Sequence, residues 1–98
     1  MYLTIDEVVF DTASTIHLIK NEKLLTAITE TENPIVVNGV QANATGVRID
    51  KEGQFGDIGT VYFSKNGSAN ILSMAALVDA KAKIRYDERA CNITITFT

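Results

Sequence analysis

The sequence holds a single cysteine, Cys91, a single proline, Pro34, and no tryptophan. One cysteine excludes an intramolecular disulfide and a multi-thiolate zinc site, so the chain suits a reducing, intracellular environment. Long hydrophobic runs are missing as well; no stretch approaches the roughly 20 apolar residues of a membrane span. Basic excess is absent too: nine Lys and Arg stand against twelve Asp and Glu, for a net charge of -3. Phosphate-backbone binding needs a cationic surplus, so neither nucleic acid nor membrane is an expected partner. The opening residues carry Asp6 and Glu7 and lack a basic segment ahead of an apolar run, so no signal peptide is expected there. No repeat, low-complexity segment or linker stands out.

What is present is a chain of 98 residues, 46% hydrophobic, with β-branched residues dominant. Length predicts one domain spanning residues 1–98. A domain of this size buries only roughly 60 to 70% of its unfolded surface, so a partner subunit would help it and dimerisation is expected.

Short apolar runs broken by turn signals predict an all-β domain with one short helix near the C-terminus. Leu3 to Phe10 reads as a first strand, with Val8-Val9-Phe10 buried on both faces. Thr15 to Ile19 reads as a second. Pro34 opens a strand through Val37, and Asn38-Gly39 is a two-residue hairpin signal, because both residues accept positive φ cheaply. The return strand is expected around Gln41 to Ile49. Gly53, Gly56 and Gly59 predict bends or bulges ahead of a strand over Thr60 to Phe63, which ends at an Asn66-Gly67 turn. Ile71, Leu72, Ala75, Ala76 and Ala80 recur at helical intervals and predict a helix. Strands are expected again over Ala82 to Tyr86 and Asn92 to Thr98. In the last, Ile93, Ile95 and Phe97 alternate with threonines, and the apolar face needs a cover.

The stretch with most chemical content is Val8-Val9-Phe10-Asp11-Thr12-Ala13-Ser14, where an apolar strand delivers a carboxylate into a turn of small, hydroxylic residues. Such a carboxylate is costly unless hydrogen-bonded or used. Asp11 capping the turn through the amides of residues 13 and 14 accounts for the pattern without any activity. His17 has no second plausible metal ligand and reads as structural or surface. Cys91, beside Ala90, reads as a small buried residue. Asp50, Asp57, Asp79 and Asp87 read as solvated or turn residues.

Asp11-Thr12-Ala13 resembles the Asp-Thr-Gly signature of aspartic proteases, in particular the retropepsins of retroviruses and retrotransposons. Further likenesses follow in the family's order. Pro34-Ile35-Val36-Val37-Asn38-Gly39-Val40 resembles the hairpin flap, and Gly59-Thr60-Val61-Tyr62-Phe63 the strand before the second half-motif. Ala69-Asn70-Ile71-Leu72-Ser73-Met74-Ala75-Ala76-Leu77 resembles the segment entering the family's helix, in wording nearest to Copia-type polyproteins. The likeness spans nearly the whole chain. It implies a closed β-barrel subunit of a two-fold homodimer, an aspartic endopeptidase that processes its own polyprotein without metal or organic cofactor. One Asp11 from each subunit would meet at the axis, with Thr12 binding across to the partner turn. Val37, Asn38, Gly39, Val40 and Gln41 would cover an extended peptide, and Ile71 would line its site. The chain ends would interleave into an intersubunit sheet, with residues 1–5 beside the last strand. Two positions depart from the family: Ala13 and Ser73 stand where glycine is usual, and a methyl group at Ala13 is a source of strain if that turn needs positive φ. A catalytically silent domain of the same fold, serving dimerisation or peptide binding, and an unrelated β-domain with Asp11 as a turn residue are the alternatives.

Overall fold

The computed structural model describes residues 2–4, 8–37, 46–67 and 69–97. Among the described residues it is mostly β-strand, with one short α-helix. The chain gathers into two compact units, one made of Met1–His17 with Ile71–Thr98, the other of Leu18–Asn70.

In the first unit, β1 (Tyr2–Thr4), β9 (Asn92–Phe97) and β8 (Ala82–Asp87) form an antiparallel sheet in the order β1-β9-β8. The expected terminal strand is therefore a central one, hydrogen-bonded within the chain on both edges. Strand alternation sorts its faces: Ile95 lies opposite Ile84 and Ile93 opposite Tyr86, while Arg85 faces Thr94 and Lys83 faces Thr96. Leu3 pairs with Ile93, and Leu3, Ile93 and Ile95 are buried. Residues 88–91 turn β8 into β9, with Asp87 Oδ1 accepting from the amides of Arg89 at 3.0 Å and Ala90 at 3.2 Å. Cys91 belongs to this turn, at φ 52°, and is exposed, which corrects the buried reading: the turn faces solvent and leaves its thiol no core to enter.

The second element of this unit is a parallel pair, β2 (Val9–Asp11) with β7 (Ile71–Ser73), in register Val9–Ile71, Phe10–Leu72 and Asp11–Ser73. The single strand expected over Leu3 to Phe10 is thus two short strands. Nor is the Val8-Val9-Phe10 run buried throughout: Val8 is buried but Val9 is 52% exposed, because a pleated strand sends neighbours to opposite faces. Helix α1 (Met74–Asp79) follows β7 directly and packs against it and against β8, with Leu77 buried. The periodicity placed its start at Ile71; pairing with β2 holds residues 71–73 extended instead.

In the second unit the order is β3 (Leu18–Ile19), β6 (Gly59–Phe63), β5 (Val47–Phe55) and β4 (Thr26–Val37). β3 runs parallel to β6, and the other neighbours are antiparallel. Only residues 18–19 of the expected 15–19 strand are extended. β4 begins at Thr26 and not at Pro34, and its register against β5 shifts between Glu30 and Ile35. Pro34 has no N–H to give a ladder and falls in that irregular stretch, where the loss is tolerated. Val37, at the end of β4, pairs with Val47, and the Asn38-Gly39 turn lies outside the described residues. The core is Leu18, Ile19, Leu25, Ile49, Phe55, Val61 and Phe63.

Two glycines are explained by position. Gly59 starts β6 at φ 88°, where L side chains are strained. A Cβ on Gly53 would stand 3.0 Å from Leu25 Cδ1 and 3.2 Å from Ile28 Cγ1. Gly53→Ala is expected to cost about 1–3 kcal/mol by overpacking, read as a lower urea midpoint; an unchanged midpoint would mean that Leu25 and Ile28 yield freely.

Candidate functional site

β2 ends at Asp11, and the chain bends through residues 12–16, so the carboxylate sits at the mouth of a strand rather than within one. Its two oxygens are separately held. Oδ1 accepts from the Ala13 amide at 2.8 Å, and Oδ2 accepts from the Ser14 hydroxyl at 2.5 Å. The Ser14 hydroxyl, then the Ala13 amide, lower the Asp11 pKa below the usual carboxylate value; slight desolvation opposes them and the Ser14 amide adds a smaller push. Asp11 is half-buried, while Thr12 and Ala13 are exposed. The group is thus ionised, oriented and reachable.

Ala13 does not strain this turn. Among the described residues the non-glycine positions with positive φ are Ala27, Lys81 and Cys91, so this turn does not call for glycine at residue 13. Ser73 also has a structural role of its own. Fully buried and opposite Asp11 in the β2–β7 register, it donates its hydroxyl to the Ser14 carbonyl at 2.6 Å and accepts the Ala76 amide at 3.0 Å, capping α1. Its own amide donates to His17 Nδ1 at 3.0 Å. The sequence signal for this was a serine directly ahead of Met-Ala-Ala-Leu, an N-cap pattern. His17, in the loop just ahead of β3 and not in a strand, gave no such signal, because its partner lies 56 residues away.

Of the expected site residues, Asp11, Thr12 and Ala13 share the turn, and Ile71 is half-buried in β7 opposite Val9. Val37 ends β4 in the second unit. Asn38, Gly39, Val40 and Gln41 lie outside the described residues. Asn70 has a structural explanation within the second unit: its Oδ1 accepts from the amides of Lys20 at 2.9 Å and Asn21 at 3.0 Å. Among the described residues no three His, Cys, Asp or Glu side chains gather as metal ligands, and no helix is long and apolar enough to cross a membrane. No family model matches the sequence, and no curated protein matches it.

Burial holds the His17 pKa below its ordinary value. The unfolded chain therefore takes up this proton first. The stability contributed by neutral His17 is complete above about pH 6.5 and is lost as pH falls through the lower folded value. Asp11, also depressed, acts in a separate window, below about pH 4. A urea midpoint that falls between about pH 7 and 5 in the wild type, but less in a His17→Asn variant, is the expected result.

Proposed function

We propose that this chain is the subunit of a homodimeric, retropepsin-like aspartic endopeptidase, with a closed barrel and one Asp11 from each copy at the two-fold axis. The observation that carries this reading is the presentation of Asp11: an accessible carboxylate at a strand end, each oxygen held by a donor of its own turn. The order of the resembling motifs along the chain supports it further.

Two such carboxylates brought together cannot both ionise readily, so the pair holds one proton and the second pKa rises. The charged Asp11 takes a proton from a water, whose oxygen bonds to the scissile carbonyl carbon. The protonated Asp11 hydrogen-bonds the carbonyl oxygen meanwhile. Collapse of the tetrahedral species breaks the C–N bond, and the leaving nitrogen takes a proton from the pair. The substrate class is an extended peptide, in the first place the chain's own polyprotein.

A reading without catalysis, as a silent module of the same fold or as an unrelated β-domain with Asp11 as a turn residue, is kept by one specific observation: the same two hydrogen bonds are what an aspartate capping a turn makes. Incubating a diverse peptide pool between about pH 4 and 7, with the wild type and Asp11→Asn side by side, separates the two. Sedimentation of the same samples tests the dimer. Cleavage that needs Asp11 and a dimeric mass is the expected result; a folded dimer that cleaves nothing favours the silent module.

A further inference from the structure

We infer that His17 is a positioning residue for Asp11, acting through Ser73 and Ser14, so that protonation of its imidazole releases the hold on the carboxylate and sets the acid limit of activity. This rests on the reading of Asp11 as the catalytic group. The geometry is a chain of four hydrogen bonds inside the first unit. His17 Nδ1 accepts from the Ser73 amide at 3.0 Å, and the Ser73 hydroxyl donates to the Ser14 carbonyl at 2.6 Å. The Ser14 hydroxyl donates to Asp11 Oδ2 at 2.5 Å, while Ala76 donates its amide to Ser73 Oγ at 3.0 Å, locking the middle of the chain to the start of α1.

An Nδ1 that accepts must be unprotonated, so neutral His17 carries its proton on Nε2. Taking up a second proton puts an N–H on Nδ1, aimed at the Ser73 N–H. Two donors then face each other at a fully buried residue, and the amide loses its acceptor. Relief requires the ring to turn or Ser73 to shift. Where Ser73 shifts, its hydroxyl no longer fixes the Ser14 carbonyl, and Ser14 is the residue whose hydroxyl orients Oδ2. Among the described residues, the titratable groups on the joined elements are Asp11, at the end of β2, and Asp79, at the end of α1 remote from Ser73; β7 carries none. The switch is thus His17 itself, biased by burial and not by a neighbouring charge.

The test follows the Ser73 amide, the Asp11 side-chain carboxyl and the His17 ring by NMR from about pH 4 to 8, alongside peptide cleavage. In the wild type the Ser73 and Asp11 signals are expected to step together with His17. His17→Asn offers an acceptor oxygen in place of Nδ1 but does not titrate. It should abolish that step and move the acid limb of cleavage to lower pH, with kcat at neutral pH close to wild type. His17→Phe removes the acceptor and should lower kcat roughly hundredfold with KM little changed, the size of loss that misplacing a reacting group causes. Ser73 and Asp11 signals that ignore the His17 titration, or a His17→Asn profile with the wild-type acid limb, would overturn the proposal. If the signals step together but no peptide is cut by the wild type, the coupling is upheld and the catalytic reading of Asp11 is what fails.

Discussion

Asp11→Asn is expected to lower peptide cleavage by roughly 10⁴-fold or more, since in the proposed mechanism the residue is both the base and, in the partner copy, the acid. The fold should survive the change. The asparagine oxygen can accept the Ala13 amide in place of Oδ1, and the Ser14 hydroxyl can rotate to accept from the new amide group in place of donating to Oδ2. A loss of cleavage with an unaltered unfolding transition therefore reports chemistry, not collapse. Retained cleavage would remove Asp11 from the mechanism altogether.

The same variant tests the shared site. If one carboxylate comes from each copy, adding Asp11→Asn protein to the wild type at fixed wild-type concentration should depress activity, because mixed dimers hold one aspartate and cannot share a proton. A monomeric enzyme would be indifferent to the addition. The lowered pKa of Asp11 in the single chain sharpens the point: its turn favours the ionised form, so in the proposed pair the raised pKa that an acid requires would have to come from the second carboxylate.

Local pattern was a good guide to strands whose partners lie close in sequence. The 82–87 and 92–97 strands alternate cleanly and are hairpin neighbours, and the Asn66-Gly67 signal marks a turn in which the Gly67 amide donates to Ser64 O at 3.2 Å. It failed where pairing is distant. Residues 71–73 have helical spacing to α1, yet β2, more than 60 residues earlier, draws them into a parallel strand. Nothing local to Asn92–Phe97 tells that β1 will occupy its second edge. At the candidate site, Asp11 and its turn were legible because Asx chemistry spans only two or three residues. The Ser73 and His17 contacts join residues more than 50 apart, so their chemistry was visible as residue type and not as contact.

Ser73→Ala is expected to give the largest loss of stability among conservative changes near the site. Its hydroxyl is the N-cap of α1, worth about 1 kcal/mol, and the donor to the Ser14 carbonyl, whose stranding costs about 1–3 kcal/mol. The sum, about 2–4 kcal/mol, would lower Tm on the order of 10–20 °C in a domain of this length. Glycine at this position should not help. Ser73 adopts φ -76° and ψ 119°, which any residue reaches, so Ser73→Gly loses both hydrogen bonds and loosens the unfolded chain as well. Thermal unfolding of the two variants beside the wild type decides it. If both melt with the wild type, the hydroxyl carries neither the cap nor the turn, and serine at this position would need another explanation.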